Sequence, residues 1–171
     1  MGRTSLHDVH GLADPAQPWN FDLYFDRLPT GVSGDLRELT FRVKTAEFPA
    51  ASLEEVPVEA HGVKLVYAGR AQYTHELSVT FFEGVSWNVR DIFYAWRELA
   101  RSWQANTGSS SDVYKASATL TLYTDAPEEA KSVKIMGLWP KNIDAVSLDG
   151  GSGGSPVELN ISFSFDWLEE A

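Results

Sequence analysis

His7 and His10 flank Asp8 and Val9, and imidazoles at i and i+3 are a spacing that can share a metal ion. The segment that carries them, residues 1–18, holds Gly11, Pro15 and Pro18 and almost no hydrophobic periodicity, so it reads as a flexible arm. An arm cannot hold two ring nitrogens in place, and no metal site is expected there. His61 and His75 each stand alone beside a turn or a strand start. Gly150-Gly151-Ser152-Gly153-Gly154 matches the spacing of a nucleophile elbow. That elbow needs a strand before it and a helix after it. Here a strand follows, so the match belongs to a turn of glycine and serine. The carboxylate pairs Glu54–Glu55, Glu128–Glu129 and Glu169–Glu170 fall in loops or at the end of the chain, where nothing raises a carboxyl pKa toward general acid work. Trp87, Phe93, Trp96 and Trp103 could stack on a sugar, but their spacing is that of a buried helix face. Asn160-Ile161-Ser162 is a glycosylation sequon within a strand pattern. There is no Walker A motif, dinucleotide fingerprint or zinc spacing. The chain has no cysteine, which removes disulfides, thiolate metal sites and cysteine nucleophiles together. The expectation is no catalytic residue, no metal and no cofactor.

The composition sets further bounds. The chain has 171 residues, 43% of them hydrophobic and 12% aromatic, enough for one domain with a packed core. Twenty-four acidic residues against 14 basic ones give a formal charge of −10. That balance argues against a protein that grips nucleic acid phosphates. It does not argue against one that nucleic acid merely passes. No signal-peptide core and no run of roughly 20 apolar residues appears, so the reading is a soluble protein made in the cytoplasm.

The elements follow from periodicity. Phe21, Leu23 and Phe25 alternate with polar residues, and so do Leu39, Phe41 and Val43, predicting two strands. From about residue 46 to residue 73 the pattern predicts an extended loop or projecting hairpin; excursions of that length are usually functional. Glu76–Glu83 reads as a third strand. Ser86 is the expected N-cap of one amphipathic helix, Trp87 to Trp103. Val89, Phe93, Trp96, Leu99 and Trp103 are its expected core face. Strands are further expected at 114–123, at 133–138 (ended by Pro140), at 143–148 as a short piece, and at 157–167. In the last, Val157 to Trp167 at odd positions form one face and Glu158 to Asp166 at even positions the other. The fold class is therefore mainly β (α+β), antiparallel, with one helix packed outside. Residues 19–171 are expected to form a single domain.

The ordered set of motifs resembles the tail tube proteins of contractile-tailed bacteriophages. It comprises Pro18-Trp-Asn-Phe-Asp-Leu-Tyr-Phe25, Phe41-Arg-Val-Lys-Thr-Ala-Glu-Phe-Pro49, and Tyr73 to Phe81 followed by Val89-Arg-Asp-Ile-Phe-Tyr-Ala-Trp96. It closes with Leu138 to Leu148 and Val157 to Trp167, and spans roughly residues 19–167. The resemblance implies a barrel-like fold that closes into a larger barrel in a homo-hexamer. Rings would stack into a virion tail tube, with a sheath protein outside, baseplate and terminator proteins at the ends, and genomic DNA passing through the lumen without being bound. On that basis Ser117, Thr119, Thr121, Glu158, Asn160, Ser162, Ser164 and Asp166 are expected to line the lumen. Phe48, Leu53, Val56, Val58, Val63, Leu65 and Tyr67 are expected in an inter-subunit or inter-ring contact.

Two neighbouring readings share the fold: a baseplate protein that initiates the tube, and the inner tube of a type VI secretion system. A reading from another class is a soluble β-sandwich module that binds carbohydrate.

Overall fold

Leu159, Ile161 and Phe163 alternate with Asn160 and Ser162, and this alternation sends every second side chain of one strand into the core. That strand is β8 (Glu158–Ser164), and the same rule builds its neighbour β5 (Glu76–Phe82), which buries Leu77, Val79 and Phe81. The computed structural model describes residues 15–170 apart from 127, 152 and 153. The candidate pair His7 and His10, most of the expected N-terminal arm and the central serine of the glycine-serine turn thus lie outside the described residues.

The remaining elements are β1 (Phe21–Phe25), α1 (Leu36–Phe41), β2 (Val43–Ala46), β3 (Ala51–Ala60) and β4 (Val63–Tyr73) before β5. After it come α2 (Asn88–Ala100), α3 (Ser111–Tyr114), β6 (Ala116–Tyr123), β7 (Glu129–Ile143), β8 and β9 (Trp167–Glu170). An antiparallel sheet runs in the order β1-β6-β7-β8-β5-β2, with β9 also on β7. β3 and β4 form a separate two-stranded sheet.

β7 and its partner run through a corner. Trp139↔Ser164 and Met136↔Trp167 lie in one continuous register, so β8 and β9 are two lengths of the same strand laid along β7. Between them Gly137 adopts φ +70°, opposite Asp166. The inward side switches there: Val133 and Ile135 are buried before the corner, Leu138 and Pro140 after it. The corner divides the sheet into a first half (β1, β6, the start of β7, β9) and a second half (the end of β7, β8, β5, β2). The halves fold onto each other. Phe25 of β1 lies 5.9 Å from Phe163 of β8 and 6.4 Å from Phe81 of β5, ring centre to ring centre. Three strand intervals along a flat sheet would put β1 and β8 about 14 Å apart. α2 covers the core with Val89, Ile92, Phe93 and Trp96. Among the described residues no buried side-chain nitrogen or oxygen lacks a partner.

Several expectations need correcting. Residues 39–44 are not one strand. Asp35 accepts a hydrogen bond from the Arg37 amide at 2.9 Å and starts α1, which buries Leu39 and leaves Phe41 72% exposed; only Val43–Ala46 is strand. Ser86 does not cap α2. Trp87 takes the cap position with φ 56°, and the Glu83 carboxylate reaches back to accept the amides of Gly84, Val89 and Arg90. An anion there also meets the positive end of the helix. Glu83→Ala is expected to cost about 1–2 kcal/mol, read as a lowered thermal midpoint. α2 ends at Ala100, so Trp103 lies beyond it and is 75% exposed instead of core, while Leu99 is half-buried. Pro140 does not end its strand: it sits buried inside β7, which continues to Ile143 and leaves residues 144–148 without strand. Proline is tolerated because the β7 edge opposite β8 carries no further strand over residues 139–143. The terminal strand keeps its inward face only to Phe165; past the corner Trp167 points outward, 49% exposed, and Leu168 packs on the core.

Candidate assembly surfaces

The expected lumen residues do not share one surface. Ser117, Thr119 and Thr121 lie on β6, on the outer face of the first half; Asn160, Ser162 and Ser164 lie on β8, on the outer face of the second. The apolar sides of the two halves meet in the core, so their polar sides face away from each other. Thr121 is only 6% exposed, with its hydroxyl 3.3 Å from that of Ser132.

The two outer faces differ in chemistry. On the first half, Asp26 accepts hydrogen bonds from the hydroxyls of Ser117 and Thr119 and lies 3.8 Å from Lys134. Tyr24 projects beside them, its phenol bonded to Asp22 at 2.7 Å and 3.5 Å from the Tyr123 hydroxyl. Those two hydrogen bonds, Tyr123 first, raise the Tyr24 pKa above the ordinary phenol range. This face is ridged and charged. The second half is smoother. Asn160 Oδ1 accepts from Ser78 at 3.2 Å and from Thr80 at 3.4 Å, and Asn160 Nδ2 donates to Asp144 at 2.7 Å. Short side chains satisfy one another across β5, β8 and the segment that follows β7. Of the two acids expected beside them, Glu158 is paired with Lys44 at 2.5 Å, and Asp166 binds Lys115 at 2.7 and 2.8 Å. Both carboxylates are thereby neutralised locally, so the surface is less acidic than the composition implies.

The excursion is a hairpin. His61 and Gly62 both have positive φ (54° and 80°), the pair of left-handed residues that a two-residue type I′ turn requires. Val56 faces Tyr67, Val58 faces Leu65, and Ala60 faces Val63. Directly opposed residues share a face, so one side of the hairpin is wholly apolar. Among the described residues nothing covers it: Val56, Val58, Val63, Leu65 and Tyr67 are 43–56% exposed. Leu53, 62% exposed, lies beyond a bulge near the hairpin base, and Phe48, 45% exposed, lies in the connection leading to it with Lys131 over its ring at 5.6 Å. Glu54 and Glu55, expected in a loop, are on strand β3.

Sequence reasoning missed a second exposed cluster. On the outer side of α2, Arg90 and Arg97 lie 4.9 and 5.8 Å from the Tyr94 ring, and Arg97 lies 5.1 Å from that of Trp103. The clue was the arginines on the polar helix face. Among the described residues no group of three metal-ligating side chains occurs, and no helix is long and apolar enough to cross a membrane.

A sheet folded on itself, with one smooth polar outer face and an apolar hairpin face left exposed, has the form of an assembly subunit. No family model matches the chain. Tail tube protein gp19 of Enterobacteria phage T6 is 30% identical over 136 residues, covering 78% of this chain and 82% of that protein. Its counterpart in Enterobacteria phage T4 is 29% identical over the same length. The chain belongs to the tail tube proteins of contractile tails, and its role is structural. Solved structures carry the same fold at lower identity. The sheath-tube complex of an extracellular contractile injection system (PVC), in the extended state, matches with a TM-score of 0.65 at 15% identity, over 99% of both chains. The sheath/tube terminator of that system matches at 0.68 and 15%, over 94% of this chain and 99% of the other.

Proposed function

We propose that six copies of the chain close into a ring, that the rings stack into the inner tube of a contractile virion tail, and that genomic DNA passes through the lumen without being held. The observation that carries the lumen assignment is the outer face of the second half-sheet. Ser78, Thr80, Asn160, Ser162 and Ser164 present small hydroxyl and amide groups, and the first three are hydrogen-bonded to one another. A wall of such groups offers phosphates no unpaired cation, and counterion release, the main source of affinity for DNA, has nothing to act on. The same half has open edges on both sides, β2 on one and the end of β7 on the other. Exposed edges of this kind are templates for pairing, and closing them into a ring-wide barrel removes them. Ser117, Thr119 and Thr121 then belong to the opposite surface of the subunit and not to the lumen.

The arginine-aromatic side of α2 is then turned outward, toward a sheath, and baseplate and terminator proteins meet the tube ends. The role is architectural and not enzymatic, in a virion tail whose parts are made in the host cytoplasm. Negative-stain images of the purified chain test the core of this reading: tubes are expected, and a strictly monomeric particle at high concentration would reject it. A single closed ring that never stacks would favour a tube initiator. Replacing both Ser162 and Ser164 with lysine tests the lumen. The subunit is expected to keep its thermal midpoint, since both side chains sit on the polar face, while DNA ejection slows. Unchanged ejection would place that face elsewhere.

A further inference from the structure

We propose that Lys44 and Lys141 are phosphate-binding cations built into the lumen wall and held silent by Glu158 and Glu76. The indifference of the wall to DNA is then made by two ion pairs and is lost when their carboxylates are removed. The inference rests on the tube reading above and names the residues that decide whether a polyanion slides past the wall or is retained by it.

The outer face of the second half carries a lysine on each of its two edge strands, and each is the extra residue of a β-bulge. On β2, Val43 opposes Phe81 and Thr45 opposes Thr80, which leaves Lys44 without an opposing residue. On β7, Pro140 opposes Phe163 and Asn142 opposes Ser162, which leaves Lys141 out in the same way. A bulge takes a residue out of the ladder and re-aims its side chain. Both lysines are aimed inward over the wall. Lys44 lies above the Phe82 ring at 5.6 Å, and its ammonium meets the Glu158 carboxylate at 2.5 Å, so it spans β5 to reach β8. Lys141 spans β8 to reach Glu76 on β5 at 3.7 Å. A lysine that served only to blunt an open edge would project from it into solvent. These two cross a strand to a carboxylate instead.

The pairs stand at the two ends of the wall. Glu158 opposes Phe82 and Glu76 opposes Ser164, at opposite ends of β8 and about 20 Å apart. Between them lie the uncharged Ser78, Thr80, Asn160 and Ser162. The four charged side chains are 39–54% exposed, so a polymer passing along the wall can reach them. In a ring closed edge to edge, the pairs form two circular rows, one on each side of a neutral belt.

An exposed ion pair contributes little to stability. Its effect on a polyanion is larger. DNA sheds condensed counterions when free ammonium groups take their place, and that release supplies the affinity. An ammonium beside its own carboxylate brings no net charge to the backbone. Drawing it away would leave the carboxylate facing the phosphates, where like charges repel.

Glu76→Gln with Glu158→Gln keeps the shape of both side chains and removes both charges. Tubes assembled from the full chain are mixed with a short fluorescent DNA duplex and sedimented. Wild-type tubes are expected to leave the duplex in solution. Tubes of the glutamine variant are expected to carry down about tenfold more at low salt and to release it as salt rises. Adding Lys44→Gln and Lys141→Gln should return retention to the wild-type level. Glu55→Gln with Glu59→Gln, the same change in net charge placed on the hairpin strand β3, should never leave that level. Tubes carrying Ser162→Lys and Ser164→Lys are the reference for access to the wall. Retention by that reference but not by the glutamine variant would overturn the silencing and leave the tube reading and the lumen assignment intact. Retention by neither would overturn the lumen assignment and the inference with it. Retention that persists without the two lysines, or that the hairpin variant matches, would overturn the inference in favour of net charge alone. If the double variant does not assemble, Glu158→Gln alone is read in the same way. A wild-type chain that forms no tubes would overturn both readings.

Discussion

Trp96→Ala is expected to destabilise the subunit by about 4–5 kcal/mol, the upper part of the range for removing a large buried aromatic. The indole is fully buried and sits among Phe25, Phe93 and Phe163, with ring centres 6.1 to 6.3 Å away. Its plane lies 18° from that of Phe93 and stands edge-on to Phe25 at 74°, so the alanine variant loses aromatic contacts as well as buried area. The indole Nε1 also donates to the Tyr114 carbonyl at 2.6 Å, tying α2 to the short α3 turn ahead of β6. Removing it leaves that carbonyl without this donor, a further cost of about 1 kcal/mol. Urea unfolding followed by far-UV circular dichroism reads the change as a shift in midpoint. Trp103→Ala in the same assay should move stability by no more than about 0.5 kcal/mol, because its ring is 75% exposed and rests mainly on Arg97. A loss below about 1 kcal/mol for Trp96→Ala would mean that α2 does not seal the core.

Gly137→Ala is expected to cost about 2–4 kcal/mol, large for the addition of one methyl group. Two terms add. At φ +70° an L side chain is strained by about 1 kcal/mol. A Cβ built there would also run into the Asp166 carboxylate, the residue opposite it in register. That carboxylate is held by two contacts from the Lys115 ammonium and by its own amide, which donates to the Met136 carbonyl at 2.9 Å. It cannot move aside without breaking the brace that holds β8 and β9 along β7. The control is Gly62→Asn in the hairpin turn. Its φ is +80° but no atom lies within 4 Å of a Cβ, and asparagine tolerates the left-handed region, so a loss within about 1 kcal/mol is expected. Equal losses at the two sites would show that strain alone, and not the corner, matters at Gly137.

The corner also explains where reading the chain failed. Alternation marked β1, β5, β6 and β8 correctly, because those strands have one face in the core and one outside, and a period of two records that difference. It failed at residues 39–41, where six residues of alternation fit a short helix equally well once Asp35 caps it. Val133, Ile135 and Leu138 were marked correctly, but Pro140 was read as the end of a strand that continues to Ile143. Alternation failed again at Trp167, because the inward side switches opposite Gly137, and a local pattern cannot register a switch produced by a residue on another strand. α2 was legible from its three-and-four spacing, but its cap came from Glu83, outside the capping window, and its end came before Trp103.

Local patterning by itself determined that the chain is an antiparallel β protein with one amphipathic helix, a projecting apolar excursion and no catalytic motif. Those properties follow from side-chain type and spacing along a single strand or helix, and the order of the motifs was enough to suggest the family. Only the tertiary structure decided which polar residues share a surface. β6 and β8 carry similar serines, threonines and asparagines, and nothing in either strand says that a corner in β7 turns their outer faces apart. It also decided that the hairpin and α1 stand at opposite ends of β5. Both relations depend on pairings between residues distant in sequence, which local periodicity does not record.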